Sequence, residues 1–217
     1  MKTILWEVDV QVDFMLPGGK LYVPGAEKII PNVNRLVEAA RQGRTLLISS
    51  ADAHQPDDAE FRKWPPHCVK GTAGAELIPE ARAALQFVIP NQPDFVLPGD
   101  LTAYQQILLE KNTLDVFENL NTDALLARLN ASDTSSSPEF LVFGVVTEYC
   151  VLRAAEGLLR RSYRISLIED AIQSLDGKKG REILDDLKSR GAGLITTKQA
   201  LALIRGESLS ATAAFKT

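Results

Sequence analysis

The chain has 217 residues, of which 45% are hydrophobic and 24% charged, and its formal net charge is -4. This is an ordinary globular composition, and its acidic balance argues against a nucleic-acid surface, which needs concentrated Lys and Arg. No apolar run is long enough for a transmembrane helix, and the first residues lack the apolar stretch of a signal peptide. We therefore expect one cytoplasmic domain over residues 1–217 that binds neither nucleic acid nor membranes. Its two cysteines are expected to be thiols.

Hydrophobic periodicity predicts alternating strands and helices. Short apolar, β-rich runs predict strands over residues 3–11, 45–50, 106–111, 139–146, 163–170 and 192–197. Helical spacing of apolar residues, with capping residues at the ends, predicts helices over residues 27–43, 121–130, 148–161, 180–191 and 198–206. This alternation predicts an α/β fold of three layers, with helices on both faces of a mostly parallel central sheet.

Four segments fit no helix or strand pattern clearly. Residues 52–72 form a long loop rich in Pro and Asp. Residues 84–105 contain two short apolar runs, each followed by proline, which predict either a hairpin or an excursion at the sheet edge. Residues 130–138 predict a polar surface loop, and the tail 207–217 has no regular pattern.

Both histidines of the chain lie in the loop after the second predicted strand. Asp52 and His54 are two residues apart, so extended backbone would point them to the same side. His67 follows two prolines that restrict its backbone, and Glu60 lies between the histidines. Two imidazoles with one or two carboxylates suit Zn, Mn or Fe ions, and this mixed ligand set does not choose among them. The alternative is a polar surface loop in which the histidines cluster by chance.

Cys150 is a candidate nucleophile. It follows an apolar strand and lies in the first turn of a predicted helix, where the helix dipole and free N–H groups would lower the pKa of its thiol. The same N–H groups could bind an oxyanion. A buried structural cysteine is the alternative, and packing is the stronger expectation for Cys68.

A thiol nucleophile needs a base, and both histidines are expected to bind metal. The remaining candidates are Asp9 and Asp13 near the end of the first strand, because a carboxylate in an apolar strand is costly unless it is paired. Lys111, at another strand end, could supply the pairing charge. Since the carboxyl ends of the strands line the ligand crevice in open α/β sheets, these residues are expected near Cys150. Taken singly, Asp9 could be a turn cap and Lys111 an exposed strand end.

Several motifs occur in a characteristic order: "VDVQVDF" at 8–14, "DAH" at 52–54, "WPPHC" at 64–68 and "GVVTEYCV" at 144–151. From residue 3 to about 200 the chain thereby resembles the isochorismatase-like cysteine hydrolases, and among them the nicotinamidases (pyrazinamidases). The resemblance implies the Rossmann-like, three-layer isochorismatase-like hydrolase fold.

The resemblance also implies a catalytic triad. Cys150 would be the nucleophile, Asp9 the general base and then acid, and Lys111 the electrostatic partner of Asp9. The segment "EKNTLDVFEN" (110–119) is the usual surrounding of the catalytic lysine in one branch of the family. A cis peptide bond before Val146 is implied, with the N–H groups of Val146 and Cys150 forming the oxyanion hole.

A divalent metal ion is implied as cofactor, with zinc the first expectation and manganese or iron the alternatives. Its implied ligands are Asp52, His54 and His67, and Glu60 falls where some nicotinamidases have a fourth ligand.

Three aromatic residues are implied to bind substrate. Phe14 and Trp64 match positions that flank the pyridine ring, and Tyr149 stands beside Cys150 at a more variable position.

The implied activity is hydrolysis of nicotinamide to nicotinate and ammonia through a thioester on the cysteine, in NAD salvage. The candidate metal ligands in residues 52–67 favour a nicotinamidase, because family members without that activity often lack the metal site. The alternative is a related hydrolase that acts on another small amide or carbamoyl compound. A catalytically silent binding protein on the same fold would need a broken triad, which the sequence does not contain. A small-molecule amide is thus the expected partner, and a homo-oligomer is an open expectation, since family members often oligomerise.

Overall fold

The computed structural model describes residues 3–131 and 137–207. The strands in these ranges are β1 (Thr3–Val8), β2 (Leu46–Asp52), β3 (Gln86–Ile89), β4 (Gln106–Lys111), β5 (Glu139–Val145), β6 (Arg164–Gln173) and β7 (Gly193–Ile195). The α-helices are α1 (Val12–Met15), α2 (Ile30–Arg41), α3 (Thr122–Ala131), α4 (Leu152–Arg160), α5 (Gly177–Ser189) and α6 (Thr197–Ile204). The strands form one sheet in the order β3-β4-β2-β1-β5-β6-β7, and all pairs are parallel. The α/β prediction is confirmed.

Several boundaries differ from the predictions for local reasons. β1 ends at Val8 rather than at residue 11, because Asp9 turns the chain with a φ of 52°. A π-helical turn, Thr147–Val151, precedes α4. α5 begins three residues earlier than predicted, since the side chain of Asp176 accepts hydrogen bonds from two backbone N–H groups in the first turn.

The segment 84–105 supplies the edge strand β3, which pairs in parallel with β4. The hairpin alternative is therefore wrong, and the edge excursion is confirmed. The second apolar run folds back as irregular chain, with the Phe95 ring 6.0 Å from that of Phe87.

Three expectations of the sequence analysis are not tested by the structure. Residues 132–136 of the predicted polar loop and residues 208–217 of the tail lie outside the described residues, and the single-domain organisation stays a prediction. No helix among residues 3–131 and 137–207 is long and apolar enough to cross a membrane.

The sheet register brings the functional residues to one edge. Asp52, the last residue of β2, pairs with Lys111, the last residue of β4. Val8 at the end of β1 pairs with Gly144 on β5, so Asp9 begins the loop above the middle of the sheet. Gly144 has a φ of +119°, and a Cβ there would lie 2.1 Å from the Val8 carbonyl oxygen. Only glycine permits this close approach of the two central strands.

β1 is buried throughout its centre and carries an unexpected carboxyl group. Glu7 is fully buried and accepts a hydrogen bond of 2.7 Å from the Ser49 hydroxyl. Burial raises the pKa of Glu7 to about 8, so this group keeps its proton at neutral pH. The sequence analysis did not single it out, because a lone Glu in an apolar run has no distinctive pattern.

Candidate active site

The three residues of the expected triad meet at the carboxyl edge of the sheet. Lys111 Nζ lies 2.8 Å from Asp9 Oδ2 and 3.7 Å from Cys150 Sγ. The other oxygen of Asp9 accepts a 2.7 Å hydrogen bond from the Ser50 hydroxyl. Asp9 and Lys111 are both 1% exposed. The alternative interpretation of Lys111 as an exposed strand end is therefore wrong. Lys111 therefore contacts both the Asp9 carboxylate and the Cys150 thiol, which brings the three side chains together.

Burial governs the protonation of this group. Burial raises the pKa of Cys150, and the nearby Asp9 carboxylate raises it further. The expectation of a lowered thiol pKa is thus wrong, because Cys150 lies in a buried π-helical turn beside a carboxylate. Burial also raises the pKa of Asp9, with only partial opposition from Lys111. Burial would lower the pKa of Lys111, but Asp52 and Asp9 outweigh it and raise that pKa well above its usual value.

The backbone beside Cys150 has the expected special geometry. The peptide bond between Val145 and Val146 is cis, as the resemblance implied. Val146 and Cys150 both line the same pocket. Their joint role as an oxyanion hole stays a prediction.

Asp52, His54 and His67 form a buried group whose ligand atoms all lie within 4.8 Å of one another. Asp52 Oδ2 is 3.7 Å from His54 Nε2 and 3.6 Å from His67 Nε2, distances too long for hydrogen bonds. His54 Nδ1 lies 3.1 Å from Asp58 Oδ2, and His67 Nδ1 lies 2.8 Å from the Pro65 carbonyl oxygen. Such partners orient histidine ligands, leaving each Nε2 for an ion. Both ring nitrogens of His54 are buried, and neither has a hydrogen bond of good geometry among the described residues, so the group fits a divalent metal ion.

Asp52 links this group to the triad. Its other carboxylate oxygen contacts Lys111 Nζ. Burial would raise the pKa of Asp52, but Lys111 and the two histidines outweigh it and hold that pKa well below the usual range. Glu60 lines the pocket but stands outside the Asp-His-His group found among the described residues. Its role as a fourth ligand stays a prediction.

Asp13, the second base candidate, instead holds the backbone of two segments: the loop 52–72 at Cys68 and the chain after α1 at Lys20. Its carboxylate accepts hydrogen bonds from the backbone N–H groups of Cys68 at 2.7 Å and Lys20 at 2.9 Å. A Cβ on Gly74 would lie 2.2 Å from Asp13 Oδ2, so glycine is required where the loop passes this carboxylate. Cys68 is fully buried, in agreement with the packing expectation.

Gln11 fixes the backbone of the loop's first residue, a role that the sequence analysis missed. Its amide accepts from the Asp52 N–H and donates to the Asp52 carbonyl oxygen, each at 2.8 Å. The glutamine of the "VDVQVDF" motif was the available signal.

Cys150 lines a small pocket with a volume of about 70 Å³. All three predicted aromatic residues line it. The Phe14 ring lies 5.4 Å from that of His67, and the Trp64 and Tyr149 rings are 5.4 Å apart at 85°. Five further residues that line the pocket were not predicted: Leu21, Tyr22, Val23, Leu114 and Leu175. Leu114 lies in the segment "EKNTLDVFEN", and the other four lie in segments without a recognised motif.

The chain resembles known amide hydrolases along most of its length. It is 23% identical to a nicotinamidase of Escherichia coli (strain K12) over 211 residues, which cover 87% of this chain and 92% of the relative. A pyrazinamidase of Pyrococcus horikoshii, solved in complex with zinc, is 27% identical with a TM-score of 0.70, covering 90% of this chain and 99% of that chain. An N-carbamoylsarcosine amidase of Thermoplasma acidophilum is 27% identical with a TM-score of 0.69, covering 91% and 97% respectively.

The family model for the isochorismatase domain matches residues 3–91 and 81–199. These matches include the strands and loops that carry the site described above. The chain therefore belongs to the isochorismatase family of hydrolases.

Proposed function

We propose that this protein is a metal-dependent cysteine amidohydrolase whose substrate is nicotinamide. The observation that carries the proposal is that Cys150 and two members of the Asp-His-His group, Asp52 and His67, line one small pocket with aromatic walls. The similarity to nicotinamidases and pyrazinamidases supports the same substrate class.

Catalysis begins at the buried thiol. Cys150 passes its proton to Asp9 as the sulfur attacks the amide carbon, and the raised pKa of Asp9 makes it an effective acceptor. Lys111 remains protonated, and its positive charge offsets the negative charge that moves between the Cys150 sulfur and the Asp9 carboxylate. The backbone N–H groups of Val146 and Cys150 donate to the developing oxyanion.

Collapse of the tetrahedral intermediate breaks the carbon–nitrogen bond. Asp9 returns its proton to the leaving nitrogen, and ammonia departs. A water molecule then attacks the thioester while Asp9 accepts its proton. The carbon–sulfur bond breaks, Asp9 passes that proton to the sulfur to restore the Cys150 thiol, and the acid loses its own proton to solvent as nicotinate.

The ring is held by aromatic walls. Phe14, Trp64 and Tyr149 all line the pocket, and such aromatic walls suit a flat heteroaromatic ring. A divalent ion held by the Asp-His-His group would supply a Lewis-acid point for a ring nitrogen, and zinc is our first expectation because the similar pyrazinamidase was solved with it. We place the reaction in cytoplasmic NAD salvage.

A panel of amides tests this assignment: nicotinamide, pyrazinamide and an N-carbamoyl amino acid, with ammonia release as the readout. We expect turnover of the two heteroaromatic amides, and its loss in the Cys150→Ala and Asp9→Asn variants. The similarity to N-carbamoylsarcosine amidase makes the carbamoyl compound the informative competitor. Activity on it alone would overturn the nicotinamidase assignment while keeping a cysteine amidohydrolase.

A further inference from the structure

Leu175 is an apolar side chain at the pocket that remains 49% exposed. It belongs to the three-residue rim loop 174–176, which joins the end of β6 at Gln173 to the start of α5 at Gly177. Exposed leucines are common on protein surfaces, and exposure by itself assigns no role. The attachment of this loop is what distinguishes Leu175.

Glu148 holds the rim loop through both carboxylate oxygens. One oxygen accepts a 3.2 Å hydrogen bond from the Leu175 N–H, and the other accepts a 2.7 Å hydrogen bond from the Asp176 N–H. Glu148 is only 8% exposed and lies two residues before Cys150 in the same π-helical turn. The nucleophile and Leu175 therefore share one support.

Further hydrogen bonds fix the loop at its other end. The Ser174 hydroxyl donates to Thr147 Oγ1 at 2.7 Å, and Thr147 Oγ1 donates to the Gln173 carbonyl oxygen at 3.1 Å. The Gln173 amide donates to the Pro24 carbonyl oxygen at 2.8 Å, next to the pocket-lining segment 21–23. The rim loop is thus bound to the turn that carries Cys150, and the strand end before it is bound to Pro24, next to the pocket-lining segment 21–23.

We propose that Leu175 is a specificity-determining residue that covers the outer face of the substrate ring, and that Glu148 is the positioning residue that holds it there. When a flat ring covers an apolar side chain fixed at the pocket, burial of both apolar surfaces stabilises the complex. The same side chain sterically excludes rings that carry bulky substituents. The proposal deepens the proposed function, and it rests on that function only for the identity of the ring.

The kinetic test compares Leu175→Ala, Glu148→Ala and Glu148→Gln with wild-type enzyme on nicotinamide and on a 5-substituted nicotinamide. Leu175→Ala should raise KM for nicotinamide about tenfold, because the substrate ring would no longer cover the exposed half of the leucine side chain. The value of kcat should stay within about threefold of wild type. Discrimination against the substituted ring should fall. Glu148→Ala should reproduce this pattern and Glu148→Gln, which keeps one acceptor oxygen, should show a smaller effect.

Two comparisons separate positioning from a general structural effect. The double variant Leu175→Ala with Glu148→Ala should be no worse than either single variant, because both act through the same contact. Leu120→Ala, at a leucine 65% exposed outside the pocket, should leave KM unchanged. A loss in kcat with unchanged KM in the Leu175 or Glu148 variants would overturn the proposal.

A second readout needs no substrate. We would measure alkylation of Cys150 by iodoacetamide and by the bulkier N-phenylmaleimide, with Cys150→Ala as the blank. Leu175→Ala and Glu148→Ala should raise the maleimide rate at least threefold relative to the iodoacetamide rate. An unchanged ratio would refute the rim assignment, whereas a wild-type enzyme inactive on nicotinamide would refute only the proposed substrate.

Discussion

Replacement of Glu7 by Gln should make the protein more stable at neutral and mildly alkaline pH. Glu7 is fully buried, and one of its carboxyl oxygens has no hydrogen-bond partner among the described residues. Burial raises its pKa from 4.5 to about 8, and the Ser49 hydroxyl and the Arg41 charge oppose this only in part. A glutamine keeps the shape and an acceptor for Ser49 but needs no proton.

The size and sign of this effect follow from proton linkage. Between pH 4.5 and about 8 the folded protein binds the Glu7 proton and the unfolded chain has lost it. The free energy of unfolding therefore falls as pH rises through this window, by about 1.4 kcal/mol for each pH unit. At pH 7 the variant should exceed wild type by about 3 kcal/mol, and the gain should vanish below pH 4.5.

The assay is urea unfolding of both proteins from pH 4 to pH 9. The control is Glu182→Gln, at a side chain 65% exposed, which should stay within about 0.5 kcal/mol of wild type at every pH. Parallel stability profiles for wild type and Glu7→Gln would show that Glu7 does not hold a proton in the folded state, and would refute the reasoning.

Four further substitutions test the site. Cys150→Ala should abolish turnover with metal content and melting temperature unchanged, and retained activity would show that the nucleophile is misassigned. His54→Ala should lose the metal and Asp58→Asn should weaken its binding about 10–100-fold in competition with a chromophoric chelator, whereas normal affinity in both would contradict the ligand geometry. Lys111→Met should cost about 3–5 kcal/mol of unfolding free energy at pH 7, because two buried carboxylates lose their cation, and a cost below 1 kcal/mol would contradict that pairing.

The fold was predictable because its signals are local. Apolar runs flanked by turn residues marked six of the strands, and the helical periodicity between them required parallel pairing. The segment 84–105 was ambiguous, since β3 has four residues and gains its partner only from the edge of the sheet. No short stretch of sequence contains that information.

The parts of the candidate site that lie in sequence motifs or at strand ends could be predicted. The properties that depend on burial and on tertiary contacts could not. The positions of Asp9, Lys111 and Cys150 followed from strand ends, and the structure places them within contact distance. The thiol pKa was wrongly predicted, because the helix argument ignored burial and the adjacent carboxylate. Leu175 was missed because its place at the pocket depends on hydrogen bonds to a residue 27 positions away.

Ammonia release from nicotinamide by the purified protein, before and after chelation and metal add-back, is the most direct test of the central claim. We predict release that disappears with the chelator, returns with a divalent ion and is absent from Cys150→Ala. No release from protein shown to contain metal, or release that the chelator leaves unchanged, would contradict the account.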